Sequence, residues 1–385
     1  MRMPAAHLFF AALFALFVLF FSSFAAAQTA VPPALAAKSW LLIDQSTGRV
    51  LAENDADARV EPASLTKLMT AYLTFAALKA NTINEEQLVT VSEKAWRQEG
   101  SRMFIQVGTQ VKVGDLIRGV IIQSGNDAAA ALAEQIGGSE EAFAVLMNRE
   151  AARLGMTNTS FANATGLPNP RLYTTARDLG LLASAIIRDY PDYYPIYATQ
   201  SFTYNNISQF NRNRLLLLDP TIDGMKTGHT ALAGYCLVAS AKRGQRRLVS
   251  VVLGAASNEI RAQESLKLLN YGFQAYDTVR VYAAHQALSK FRVWKGAAEE
   301  VEVGFAQDLL LSLPREKISK IESPVLESRQ PVLAPIAKGQ PLGKLKLTIA
   351  GESYGEYPVL ALADVPLGGF FARQWDAFVL WFKHL

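Results

Sequence analysis

The stretch Glu61-Pro62-Ala63-Ser64-Leu65-Thr66-Lys67-Leu68-Met69-Thr70 places a serine and a lysine three residues apart where a helix starts. Pro62 suits a helix entry, because the first N–H groups of a helix have no partner within it. Leu65, Leu68, Met69, Tyr72, Leu73, Ala76 and Leu78 continue at helical spacing over a broad, nearly all-apolar surface, so this helix belongs in a core. Side chains at i and i+3 share a face, which brings the Ser64 hydroxyl to the Lys67 amine. Burial favours the neutral form of a lysine, and a neutral amine beside a hydroxyl is a general base that can make it nucleophilic.

Ser-x-x-Lys alone is weak, since two common residues produce that spacing about once by chance in a chain of this length. Its plain reading is a capped helix. Two further motifs change the weighing: Ser124-Gly125-Asn126 and Lys226-Thr227-Gly228. Apolar residues at helical spacing fill 113–122 and an alanine-rich helix follows over 128–136, so Ser124 and Asn126 sit in a tight turn with side chains free to face a cleft. In isolation Asn126 and Asp127 read as helix caps. The segment 224–229 leads into two β-rich runs, 235–241 and 247–254, separated by Lys242-Arg243-Gly244-Gln245, which predicts a hairpin in the middle of a sheet. Gly228 permits close approach of a ligand, and Lys226 with Thr227 directs donors toward an anion.

The chain has 385 residues, half of them apolar, enough for two or three domains and a sizeable core. A net charge of +4 with acids and bases interspersed gives no nucleic-acid signal. Residues 1–27 carry Arg2, an apolar run over 8–21 and small residues at Ala25 and Ala27, which reads as a secretory signal peptide cleaved after Ala27. An uncleaved membrane helix is the rival, since the run is nearly long enough to span. Export implies an oxidising compartment, yet Cys236 is the lone cysteine and can form no internal disulfide. Between Tyr235 and Leu237 it reads as a small core residue. His7, His229, His285 and His384 are scattered without ligand spacing, so neither metal nor cofactor is expected.

A hairpin over 39–44 and 49–53, a short strand at 88–91 and helices over 139–154, 174–189 and 259–276 complete the first part of the chain. After residue 284, valine-rich alternating runs replace alanine-rich helix, with strands expected at 290–294, 301–305, 308–313, 320–323, 340–349 and 354–361. Residues 368–385 return to helix, with Phe371, Trp375, Phe378, Val379 and Phe382 on one side and Arg373, Asp376 and Lys383 on the other. That pattern suits a membrane interface and is too short and too charged to span.

Ser-x-x-Lys, Ser-x-Asn and Lys-Thr-Gly in this order are the signature of penicillin-binding proteins and class A β-lactamases. With Pro62-Ala63-Ser64-Leu65-Thr66-Lys67 and Asp223-Gly224-Met225-Lys226-Thr227-Gly228-His229-Thr230, the chain resembles the low-molecular-mass penicillin-binding proteins, the serine-type D-alanyl-D-alanine carboxypeptidases, over essentially its whole mature length. The resemblance implies an α/β (α+β) penicillin-binding/β-lactamase-like catalytic domain over 28–284, with an antiparallel sheet and a helical subdomain. A small all-β domain over 285–365 and an amphipathic anchor helix over 366–385 would follow.

It also implies a mechanism. Ser64 attacks the penultimate D-Ala carbonyl of a peptidoglycan pentapeptide with Lys67 as base, terminal D-Ala leaves, and water releases the acyl-enzyme. Ser124 relays a proton to the leaving amine, Asn126 holds the peptide amide, and Lys226 completes the network. The oxyanion sits between the backbone N–H groups of Ser64 and His229, beside Gly228. Thr227, Arg261 and Arg212 are assigned to the substrate carboxylate, although an arginine on a helix is otherwise simply solvated. β-Lactams would acylate the same serine. The place implied is the periplasm, on the outer face of the inner membrane. The chain departs from the family pattern in the loop before Thr174-Thr175-Ala176-Arg177-Asp178, where relatives carry a histidine and this chain has Thr165-Gly166-Leu167. A β-lactamase, which would need a Glu-x-x-Leu-Asn that is missing after Ser124, and a non-catalytic peptidoglycan-binding protein are the alternatives.

Overall fold

Strands β1 (Ser39–Asp44), β2 (Val50–Asn54), β3 (Ile222–Thr230), β4 (Gly234–Arg243) and β5 (Arg246–Ala255) make one antiparallel sheet in the order β2-β1-β5-β4-β3. The structure is a computed structural model that describes residues 31–328 and 330–383; the signal segment expected at 1–27 lies outside them. Because β3 is an edge strand, Lys226-Thr227-Gly228 has one side unpaired within the sheet, where an extended ligand can lie.

Alternation along the strands sorts the core into two layers. Trp40, Leu42, Leu237, Leu248 and Val252 pack against Leu268, Leu269 and Phe273 of one helix, while Leu41, Ile43, Val238, Val249 and Val251 face the helical subdomain. Burial on both faces explains why these strands read as nearly continuous apolar runs. Each fully buried aliphatic side chain contributes roughly 1.5–3 kcal/mol of transfer free energy.

The helices that position the site are α1 (Lys67–Lys79), α2 (Asn126–Gly137), α3 (Ala176–Asp189) and α4 (Asn258–Ala275). Thr175 and Ser257 cap α3 and α4 by accepting the N–H groups of Asp178 and Ile260. On α2, Ala128, Ala129, Ala130, Ala131 and Ala133 are all buried, and their small side chains let neighbouring elements approach closely.

Several local expectations are corrected. Ser64 does not stand on the α-helix: it lies in a 3-10 turn, Ala63–Thr66, and α1 begins at Lys67. The helix expected to reach 276 stops at Ala275, and Tyr276–Tyr282 is a strand paired with Leu309–Pro314. No strand covers 320–323. Arg315–Lys320 is a 3-10 helix, Ile321 makes a single bridge to Ile349, and the strand starts at Val325. A hairpin of Ser201–Tyr204 with Ile207–Phe210 was not expected from the sequence.

The β-rich region forms a six-stranded sheet with its own core of Phe291, Val303, Leu345, Leu347 and Val359. Polar contacts tie the two-stranded pair Tyr276–Tyr282 and Leu309–Pro314 to the first sheet: Thr278 Oγ1 donates to Asp44 Oδ2 at 2.5 Å, the Tyr276 hydroxyl donates to Leu51 O at 2.9 Å, and the Thr47 and Ser312 hydroxyls lie 2.6 Å apart.

Candidate active site

In a 3-10 turn, side chains at i and i+3 eclipse, and Lys67 Nζ accordingly lies 3.1 Å from Ser64 Oγ. The turn carries a left-handed Ala63 (φ 48°) and is wedged by Gly166, where any Cβ would collide with the Ala63 carbonyl. Lys67 is 1% exposed, and two more oxygens meet its amine: Asn126 Oδ1 and Thr165 O, each at 2.6 Å. The orientation of the Asn126 amide follows from its other end, since Nδ2 donates to Glu99 O at 2.5 Å. Burial and, secondarily, the Arg212 guanidinium bring the Lys67 amine down to about 7, partly offset by Asp127.

Ser124 reaches this cluster through an unusual bend. The helix Val113–Arg118 loosens into a π-helical turn, Gly119–Gln123, Ser124 turns left-handed (φ 64°), and α2 begins at Asn126. Asp127 holds the bend: its buried carboxylate accepts the N–H groups of Met103, Phe104 and Ile105 at 3.0, 2.9 and 3.3 Å, while Asn126 N donates to Ser101 O at 2.7 Å. On the facing edge strand, Lys226 Nζ donates to Ser124 Oγ at 2.9 Å and to Thr227 O at 3.0 Å. Burial, then repulsion from Lys67, Arg212 and Arg261, holds the Lys226 amine well below its ordinary value.

Ser64 and Ser124 open into a cleft of about 490 Å³ that Arg212, Thr227, Gly228, His229 and Arg261 also line. Arg261, 7% exposed, donates to Gly228 O at 3.1 Å and to Cys236 O at 3.4 Å, and burial lowers its guanidinium to about 10. Arg212 Nε donates to Gln123 O at 3.1 Å and is likewise lowered by burial. Among the described residues, no acidic side chain lines the cleft. Converging cations without a carboxylate partner repel one another, and an anion entering between them relieves that repulsion. Among the described residues, no group of three His, Cys, Asp or Glu side chains could hold a metal ion.

Of the ten residues singled out in the sequence, seven line this cleft, and Lys67, Asn126 and Lys226 stand behind it, joined by hydrogen bonds to Ser64, Lys67 and Ser124 respectively. Thr165, Asp127, Tyr235 and Asn258 are among the contributors that were not foreseen. Thr165 acts through its carbonyl, which leaves no trace in residue type; Asp127 looked like a plain cap; Tyr235, against whose ring His229 packs at 4.1 Å, lay in a β-rich run with nothing to single it out; and Asn258 lines the cleft from the start of α4.

Comparison with known proteins agrees with this geometry. The family described as D-alanyl-D-alanine carboxypeptidase matches residues 26–257, and the penicillin-binding protein 5 C-terminal domain matches 276–367. The chain is 44% identical over 362 residues to the D-alanyl-D-alanine carboxypeptidase DacC of Escherichia coli (strain K12), covering 92% of this chain and 90% of that one. The structure of penicillin-binding protein 5 from Haemophilus influenzae superposes with a TM-score of 0.84 at 40% identity, covering 87% of this chain and 99% of that one. Penicillin-binding protein D2 from Listeria monocytogenes in its ampicillin-bound form gives 0.59 at 31% identity, covering 63% of this chain and 99% of that one. A serine on a 3-10 turn beside the lysine that opens α1, two facing motifs, the antiparallel sheet with its helical subdomain and these similarities place the chain in the D-alanyl-D-alanine carboxypeptidase family.

Proposed function

We propose that Ser64 is the nucleophile of a carboxypeptidase that removes the terminal D-alanine from peptidoglycan pentapeptides and is acylated by β-lactams. The observation that carries this reading is the hydrogen-bond count at Lys67. A neutral amine has two hydrogens and one lone pair. Asn126 Oδ1 and Thr165 O, both at 2.6 Å, can only accept and so take the hydrogens, which leaves the lone pair for the Ser64 hydroxyl. Lys67 takes the Ser64 proton as Oγ attacks the carbonyl carbon, and the oxyanion is held by the N–H groups of Ser64 and His229. As the C–N bond breaks, the proton that Lys67 took from Ser64 passes through the hydroxyl of Ser124, itself bonded to Lys226, to the leaving nitrogen, which leaves both Ser124 protonated and Lys67 neutral. Neutral Lys67 then deprotonates the water that attacks the ester carbonyl, and the same proton returns to Ser64 Oγ as the carboxylic acid leaves. Incubation with a diacyl-D-Ala-D-Ala peptide tests the reading: stoichiometric, repeated release of D-alanine is expected, and binding without release contradicts it.

Thr227, Arg261 and Arg212 receive the substrate carboxylate. Arg261→Ala is expected to remove a charge-assisted bond worth about 1.5–3 kcal/mol, about 10- to 100-fold in kcat/KM for the peptide. Acylation by penicillin, whose leaving nitrogen stays tethered, should suffer less. Equal losses for both ligands would move the role to Thr227 or Arg212.

The proposed division assigns 28–284 to catalysis, 285–365 to the β-rich domain and 366–385 to a membrane anchor. Helix α5 (Phe370–Lys383) supports the last assignment. Phe370, Phe371, Trp375, Phe378, Trp381 and Phe382 are 53–86% exposed, an aromatic face left uncovered by the other described residues, as a helix lying in the headgroup region requires. Among the described residues no helix is long and apolar enough to cross a membrane. Asp376 turns the other way and accepts the Lys295 N–H at 2.5 Å, and Gly368 N donates to Lys295 O at 2.9 Å. Gly368 is therefore a close-packing position, where a Cβ would meet Gly296 O. The proposed location is the periplasmic face of the inner membrane. Truncation before Gly368 should release the protein into the soluble fraction with peptide turnover intact. Continued sedimentation with membranes, or unfolding, contradicts the anchor.

A further inference from the structure

The two segments set around the oxyanion, the turn at Ser64 and the end of β3 at His229, are remote in sequence. Oxyanion donors act only when they stand about 2.7–3.1 Å from the developing charge, so the gap between these segments has to be held closely. Packing sets a minimum. A Cβ at Gly228 would meet Pro62 O at 3.0 Å and Leu65 N at 3.3 Å, so strand and turn touch backbone to backbone there. Contact alone does not stop them from drifting apart.

A side-chain hydrogen bond does that. Just past His229, Thr230 Oγ1 donates to Glu61 Oε2 at 2.9 Å while it accepts the Ala233 N–H at 3.0 Å. One hydroxyl thus closes the β3–β4 turn and ties it to the residue that leads into Pro62-Ala63-Ser64. The other carboxylate oxygen, Glu61 Oε1, is buried and has no hydrogen-bond partner among the described residues. An exposed ornamental pair would leave that oxygen to water. Here the carboxylate sustains a desolvation cost for a bond that is strengthened by its charge.

From this arrangement we infer that Glu61, acting through Thr230, sets the width of the oxyanion hole: a positioning residue that does not touch the reacting atoms. The inference rests on Ser64 being the nucleophile. Glu61→Ala then lowers kcat for D-alanine release about 10-fold or more, with KM within about two-fold, because misplacement of a donor acts on the transition state. Penicillin acylation and release of the penicilloyl enzyme slow in similar proportion, since both pass through the same oxyanion. Thr230→Val reproduces the loss, and Thr230→Ser, which keeps the hydroxyl, restores kcat. Should Glu61→Ala not fold, the Thr230→Val and Thr230→Ser comparison carries the same test. An active parent whose Glu61→Ala variant keeps its kcat while melting at a lower temperature overturns the inference alone, as does a Thr230→Ser variant as impaired as Thr230→Val. A parent that neither releases D-alanine nor takes up penicillin overturns the nucleophile reading as well.

Discussion

Ser64→Ala is expected to abolish covalent labelling by penicillin and to reduce D-alanine release by at least about 10⁴-fold, the scale seen when a nucleophile is removed from a hydrolase that works as a unit. The reason is local. Ser64 Oγ lies beside the Lys67 amine at 3.1 Å, and the turn that carries it is held by backbone contacts at Gly166 and Gly228, not by the hydroxyl. Lys67 keeps its two carbonyl-type acceptors in the variant, so the fold should survive with a stability change within about 0.5 kcal/mol. Intact-mass measurement after exposure to penicillin should show no adduct; stoichiometric labelling of the variant contradicts the assignment.

Lys67 should be nearly as critical. With the amine at about 7, the fraction able to accept the Ser64 proton grows as pH rises through that value. Acylation by penicillin is therefore expected to increase with pH through about 7 and then level off, because only the deprotonated amine has a lone pair. Arg212 repels the Lys67 cation, so Arg212→Ala should let the amine hold its proton more tightly and move the rising limb to higher pH. Lys67→Ala is expected to slow acylation about 10²- to 10⁴-fold, the usual worth of a general base. Lys67→Arg should not rescue it, because a guanidinium cannot give up its proton. A rate independent of pH across this range, or an active Lys67→Arg variant, contradicts the role.

The motif residues were legible in the sequence because the chemistry dictates both their types and their spacing. Ser64 and Lys67 have to meet, and any helical or 3-10 turn places i next to i+3, so misjudging the turn type did not misplace the pair. The strands of the sheet were legible as apolar runs because they are buried on both faces, whereas the helical subdomain followed only from the family resemblance. What escaped depends on groups that carry no residue signature or on partners distant in sequence. The Thr165 carbonyl that holds Lys67 would look the same in any residue. Asp127 resembled a cap because one carboxylate at a helix start reads identically whether it binds its own helix or the loop of Met103, Phe104 and Ile105. Tyr276–Tyr282 became a strand through pairing with Leu309–Pro314, and Ile321 found only one bridge, to Ile349; neither outcome is set by local propensity.

Peptide-mapped mass spectrometry of the penicillin adduct, run in parallel with D-alanine release from a diacyl-D-Ala-D-Ala peptide, tests the central claim most directly. The account predicts one penicilloyl group per molecule on the fragment that contains Ser64, with D-alanine release falling in proportion to labelling. An adduct on any other residue, or D-alanine release that persists in fully labelled protein, would contradict it.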